Sequence, residues 1–322
     1  MTAEKNFIYD IGIIGAGPAG LTAAIYALRD NKSVILFEKN YEMGGQILNS
    51  EKVVNIPGFP SISGAEFIEN LTEQLNKAKK DGDGVFSFIE TTVGDIWRAN
   101  VRDLFIISDK EETYLAKKII IAAGSEYRLL GVSGERELIG RGISFCSTCD
   151  APFCKGQKVA VIGGGNSALT EALEIAKFAE SVKILQNLPY LTAEQSLCEK
   201  IKKEEKISIQ FNTTVLDFYT SDNMIGIHTN YSDPAWNNPI FEKYEYFDHV
   251  FIAIGMQANN GFAKHIALLA ADGYILTPTD DGVFLAGDCM AKKVKQVATA
   301  CGDGAQAAVL ACRALNEEVR DG

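Results

Sequence analysis

The hexapeptide GAGPAG at 15–20, placed between a short apolar strand at 10–14 and a segment with Leu21, Ala24, Ile25 and Leu28 at helical spacing, constrains this chain more than any other feature. A strand that turns through glycines into a helix is the opening of a dinucleotide-binding βαβ unit. Gly15 permits the tight turn, Gly17 lets a pyrophosphate approach the backbone, and Gly20 allows close packing of helix on strand. The helix N-terminus adds unpaired N–H groups and a partial positive charge suited to phosphates. After a second strand at 33–37 stands Glu38, 23 positions beyond Gly15, where a carboxylate accepts both hydroxyls of an adenosine ribose and repels a 2′-phosphate. An ordinary glycine-rich turn is the competing reading, and it explains neither the strand, the helix nor the acid.

The same plan recurs later. A strand at 158–162 enters GGGNSA at 163–168, Leu169, Leu173 and Ala176 share a helical face, and 181–185 reads as the next strand. Two such units in 322 residues predict two α/β domains. The second motif lacks its reader, because 23 positions beyond Gly163 falls on Gln186, and no arginine lies between Arg141 and Arg313. It reads either as a vestigial scaffold or as a loose NADH cradle that works through its backbone.

Two further apolar strands ending in glycine, 119–125 and 250–256, mark where the chain passes between domains. The segment 282–288 and the alanine-rich helical tail at 305–315 are too short to stand alone and return to the first domain. The expected division is therefore 1–116 with 248–322, interrupted by an insert at 117–247. Residues 221–243, rich in Asn and Asp, read as turns or a hairpin without chemistry. A net charge of −11 argues against a nucleic-acid binder. No apolar run is long enough to span a membrane, and the start has no export-signal pattern, which makes the cytoplasm the default location.

Seven cysteines in such a chain do not make a disulfide scaffold. Cys146 and Cys149, with two residues between them, suit a small disulfide that passes two electrons by thiolate exchange. Half of a zinc site is the alternative, but only Cys154 is near and the three histidines are scattered, so no metal is expected. An inert core pair is the other alternative, which the flanking Ser147, Thr148 and Asp150 disfavour. Asp150 is either a solvated turn residue or the proton donor to a leaving thiolate. Cys154, Cys198, Cys289, Cys301 and Cys312 read as small buried hydrophobes.

GAGPAG, Gly44-Gly45-Gln46, the segment 55–59 beginning at Asn55, CSTCD at 146–150 with GGGNSALTEA after it, FIAIG, GVFLAGD and the late run Lys295-Gln296-Val297-Ala298 occur here in one order. On these motifs the chain resembles the low-molecular-weight flavin thioredoxin reductases over nearly its whole length. The resemblance implies an FAD domain of Rossmann-like, three-layer type, interrupted by a smaller nucleotide-domain-like insert that bears the redox disulfide, in a homodimer. It places Gly15, Gly17, Pro18, Ala19, Gly20, Glu38 and Lys39 on the ADP half of FAD. Gly45, Gln46, Asn55 and Gly124 fall toward its middle and flavin end, Asp288 on the ribityl chain, and Lys295, Gln296, Val297 and Ala298 at the ring edge. It makes Cys149 the flavin-facing thiol, Cys146 the one that attacks thioredoxin, and Asp150 the acid.

One departure bears on the electron donor. The NADPH-using members carry a basic His-Arg-Arg run where this chain has Gln186, Asn187 and Leu188. In this the chain resembles the pyridine-nucleotide-independent branch, which includes ferredoxin-dependent flavin thioredoxin reductases. Ferredoxin is then the expected donor, docked on Lys292, Lys293 and Lys295, with a merely solvated lysine cluster as the competing reading. The alternatives are NADPH or NADH feeding the same disulfide, a flavin disulfide oxidoreductase with another donor or acceptor, and a non-catalytic redox sensor. A thioredoxin-reductase-like ferredoxin–NADP reductase is disfavoured, since it needs no dithiol.

Overall fold

Strands with no polar face require cover on both sides, and this chain supplies it twice. The computed structural model describes residues 7–50, 52–82, 84–99, 104–109, 111–232 and 240–321. It divides into two units, residues 1–126 with 257–322, and residues 127–256.

In the first unit, Phe86–Glu90, Val34–Glu38, Ile8–Ile14 and Thr113–Ile121 lie side by side in parallel. Val283–Leu285 joins Thr113–Ile121 in parallel, and the antiparallel strands Phe105–Ser108 and Asp95–Arg98 extend the sheet. All five residues of Val34–Glu38 are buried, as befits a central parallel strand. On one face Ile11, Ile13, Val34 and Leu36 pack under the helices Pro18–Arg29, Gly64–Asp81 and Val297–Asp321. On the other, Ile35, Phe37, Ile119 and Ile121 pack with Phe105, Ile107 and Ile266.

The second unit has a fully parallel sheet in the order Ile207–Gln210, Ser181–Leu185, Lys158–Ile162, His249–Ile252, Ile143–Ser144. Val159 and Val161 face the helices Asn166–Ala176 and Gln195–Lys203. Ala160 and Ile162, pointing the other way, meet Val215, Phe218, Ile225 and Ile227 of an antiparallel sheet formed by Thr213–Ser221, Met224–Ser232 and Ile240–Phe247. Each unit is therefore a three-layer α/β assembly of Rossmann type. Part of the segment read as turns or a hairpin is that antiparallel pair, while 233–239 lie outside the described residues.

The division differs from the sequence expectation. Thr113–Ile121 belongs wholly to the first sheet, so the first crossing follows residue 126 rather than 116. His249–Ile252 pairs with Lys158–Ile162 in the second sheet, so the return follows residue 256 rather than 247. Each glycine-ended strand completes its own sheet before the chain leaves. The two crossing segments, Glu126–Tyr127 and Met256–Gln257, pair with each other.

The glycine turn fixes how closely helix and sheet approach. A Cβ at Gly20 would run into the carbonyl oxygen of Gly15, whereas one at Gly302 would meet nothing within 4 Å. Gly20→Ala is therefore expected to lower stability by about 1–3 kcal/mol, and Gly302→Ala, in the exposed middle of a helix, to raise it by about 0.5–1 kcal/mol. Thermal unfolding of both variants, followed by circular dichroism, checks the opposite signs.

Candidate active site

The helix Pro18–Arg29 begins without a side-chain cap, Gly17 standing at its N-cap in an extended conformation and Pro18 in its first turn. The leading N–H groups therefore lack a side-chain acceptor of their own. A Cβ at Gly17 would find only the Gly44 oxygen, 3.8 Å away, so the turn is open at the point where a pyrophosphate approaches. Glu38 is buried at the end of its strand, with Oε2 accepting the Ala16 N–H at 2.8 Å and Oε1 the Asn40 N–H at 3.2 Å. The acid both braces the glycine turn and stands beside it.

Other segments converge on this turn. The Gly44 N–H donates to the Ala16 carbonyl at 2.9 Å, and a Cβ at Gly45 would lie 3.5 Å from the Gly17 Cα. Gln46 Nε2 donates to the Ser125 carbonyl, beside Gly124, whose positive φ of 68° leaves it open on the Cβ side. Gly287 packs against Ala19 and carries Asp288 to the same place. Asn55 Nδ2 reaches Gln296 Oε1 at 3.1 Å, just before Val297 and Ala298 open the long last helix. Lys39 turns outward to an exposed pairing with Glu126.

The lysine cluster differs from the docking patch expected. Lys292 Nζ lies 2.5 Å from Asp303 Oδ2 and 3.4 Å from Asp288 Oδ1, and Lys295 Nζ sits 3.2 Å above the centre of the Tyr274 ring. Both charges are spent inside their own unit, and Lys293 alone of the three is exposed. Spacing along the sequence does not reveal these acceptors, since Asp303 and Tyr274 are remote in the chain.

In the second unit Cys146 and Cys149 form a disulfide, their Cα atoms 5.3 Å apart. Cys146 caps the single helical turn Ser147–Asp150, and the Cys149 N–H donates to its sulfur at 3.2 Å. Thr148 is exposed, whereas Ser147 is buried with its Oγ 3.4 Å from Glu174 Oε2. Burial and the neighbouring Glu174 push the Glu171 carboxyl up to about 8. Asp150 is half-buried and held by a hydrogen bond from Ser144 Oγ, which also accepts the Cys146 N–H at 3.2 Å. Burial holds the His249 imidazole below its ordinary pKa, with Asp150 opposing the shift. Phe145 stacks on Tyr127, ring centres 4.8 Å apart, beside the first cysteine. Ser144 and the stacked pair were missed in the sequence, because a strand-end serine and two separated aromatics carry no motif.

The second glycine turn keeps its cradle. The helix Asn166–Ala176 also starts without a side-chain cap, and a Cβ at Gly165 would lie 3.6 Å from Thr192 Oγ1, much as at Gly17. Its reader position is turned inward. Gln186 is buried, packs on Gly164 and donates to the Tyr190 carbonyl at 3.0 Å.

Among the described residues no cluster of His, Cys, Asp or Glu could hold a metal ion, and no helix is long and apolar enough to cross a membrane. A dinucleotide-binding unit interrupted by a second that bears a CxxC disulfide defines an oxidoreductase of the disulfide class. The model of the pyridine nucleotide-disulphide oxidoreductases matches residues 9–304. The thioredoxin reductase of Bacillus subtilis (strain 168) is 37% identical over 96% of this chain and 94% of its own. That of Peptoclostridium litorale is 34% identical over 96% and 98%. The crystal structure of thioredoxin reductase from Streptococcus pyogenes superposes with a TM-score of 0.84 at 31% identity, covering 99% of this chain and 100% of that one. The chain belongs to the pyridine nucleotide-disulphide oxidoreductase family, and within it to the low-molecular-weight thioredoxin reductases. Its cofactor is FAD.

The residues fit that cofactor at two points along it. Uncapped N–H groups and the open face of Gly17 suit its pyrophosphate. Asp288 Oδ1, buried without a hydrogen-bond partner, suits a hydroxyl of its sugar chain.

Burial pushes the thiols of Cys154 and Cys312 up to about 12 and that of Cys289 to about 11, leaving almost no thiolate near neutral pH. Reduction of the native protein is therefore expected to add two rapidly titrating thiols, Cys146 and Cys149, while these three react only after denaturation. A thiol-reagent count before and after reduction at about pH 8 checks it.

Proposed function

We propose that the chain is a thioredoxin-disulfide reductase in which Cys146 and Cys149 carry the electrons and Asp150 the proton. The observation that supports this most is the disulfide in a half-buried turn, with a carboxylate next in sequence, in a member of a disulfide oxidoreductase family. When bound, FAD supplies the electron pair that opens the Cys146–Cys149 bond. Gly15, Gly17, Pro18, Ala19 and Gly20 would hold its pyrophosphate, Glu38 its adenosine ribose, Gly45, Gln46 and Asn55 its middle, and Asp288 its sugar chain. Gly124 and residues 295–298 would border the ring, while Lys39, drawn to Glu126, would contribute only charge nearby.

The chain's own chemistry then runs by exchange. The Cys149 N–H that points at the Cys146 sulfur eases negative charge there. Cys146 thiolate attacks one sulfur of thioredoxin's disulfide, a new sulfur–sulfur bond forms, and the bond within thioredoxin breaks. The leaving thiolate takes a proton, which Asp150, oriented by Ser144, would supply. Cys149 thiolate then attacks Cys146, restores the disulfide and releases the second thioredoxin sulfur as a thiolate. The five free cysteines suit a reducing compartment, and we assign the protein to the cytoplasm, as a homodimer by analogy with its family.

A nicotinamide nucleotide is the donor we favour. The family description and the open second cradle at Gly165 support it. Ferredoxin, the donor expected from the sequence, becomes the second reading, because the internal pairing of Lys292 and Lys295 dissolves most of its docking patch. The inward-turned Gln186, which offers no group to a ribose or its phosphate, is the observation on its side.

Stoichiometric NADH or NADPH added anaerobically is expected to bleach the flavin within seconds. Bleaching by reduced ferredoxin alone would transfer the proposal to the second reading. Cys146→Ser and Cys149→Ser are each expected to lower thioredoxin turnover more than about a thousandfold with the FAD spectrum retained, and Asp150→Asn about a hundredfold. Residual turnover near the native rate in either cysteine variant would sink the proposal.

A further inference from the structure

Lys292 lies between two carboxylates and serves them differently. Its Nζ makes a hydrogen bond to Asp303 Oδ2 at 2.5 Å. It stands 3.4 Å from Asp288 Oδ1, an oxygen that is buried and accepts no hydrogen bond. Asp303 Oδ2 also accepts the Gly287 N–H at 3.2 Å. One carboxylate, on the long last helix, thus fixes both the lysine and the backbone that presents Asp288.

A carboxylate withdrawn from water loses its charge unless a cation compensates. Burial raises the Asp288 pKa above the ordinary carboxylate value, the charge and close contact of Lys292 and then the charge of Lys295 pull it part of the way back, and Asp303 adds to the rise. These are the charged groups that face it, and Lys295 is itself held on the Tyr274 ring. Lys292 is therefore the principal cation for Asp288. Its short hydrogen bond goes to Asp303, so across the longer 3.4 Å contact it serves Asp288 Oδ1 first through its charge.

We propose that Lys292, held by Asp303, is a positioning residue for the cofactor: it keeps Asp288 an ionised acceptor for a hydroxyl of the flavin's sugar chain. The proposal rests on the reading that Asp288 binds FAD. An ionised acceptor holds a hydroxyl roughly tenfold more tightly than a neutral one. Removal of the cation should therefore weaken FAD where Asp288 becomes protonated, and not where it stays ionised.

Apoprotein titrated with FAD, followed by flavin fluorescence quenching, reads this directly. The dissociation constant of the native chain is expected to vary by less than about threefold between about pH 6 and 9. Lys292→Met should weaken binding about tenfold or more near pH 6 and recover to within about threefold near pH 9, and Lys292→Arg should restore the flat profile. No loss, the same loss at every pH, or failure of the arginine to rescue would overturn the proposal. Should Lys292→Met not fold, Lys292→Gln carries the same comparison. Asp288→Asn tests the underlying reading separately. It should weaken FAD at every pH without a slope, and native affinity in that variant would show that Asp288 does not hold the cofactor.

Discussion

The close approach of a helix to a strand across a glycine turn is the constraint on which the first unit depends. Gly20 has no room for a side chain over Gly15, and Gly304 has none over the Ala19 carbonyl. The helix Val297–Asp321 therefore packs directly on the first turn of the helix Pro18–Arg29. That proximity leaves the helix start uncapped and open toward a ligand, and it brings Gly287 and Asp288 alongside. The binding surface is a by-product of missing Cβ atoms.

Charge in the two units is handled in opposite ways. Around Asp288 and Asp303, two half-buried carboxylates share one lysine. Around the disulfide the stabilising groups are neutral: a backbone N–H on the Cys146 sulfur, a serine hydroxyl on Asp150, and an imidazole kept low by burial. A dithiol that must gain and lose negative charge is better served by dipoles than by a fixed cation, which would hold one sulfur permanently as thiolate.

Much of this was legible in advance because it follows from local rules. The strands Lys158–Ile162 and Ser181–Leu185 fall where apolar patterning places them, and both glycine turns open helices as their spacing requires. The domain boundaries came out about ten residues early on each side, because an apolar strand ending in glycine does not declare which sheet it joins. That choice is made by long-range pairing, Ile119 with Gly12 in one case and Val250 with Ala160 in the other. The lysines misled for a related reason. Their partners Asp303 and Tyr274 come from other elements, so three lysines within four residues read as a surface patch. Ser144 had no signature at all, although it holds the carboxylate beside the dithiol.

The interrupted first unit has a consequence for how the chain comes off the ribosome. The second unit is continuous and complete once residue 256 has emerged, whereas the first sheet still lacks Val283–Leu285 and the helix that covers it. In vectorial synthesis the early strands thus wait for their last partner and cover until the end of the chain is made, and incompletely covered apolar edges of that kind favour aggregation. The last helix, in packing down, both seals that sheet and delivers Asp303 to its lysine.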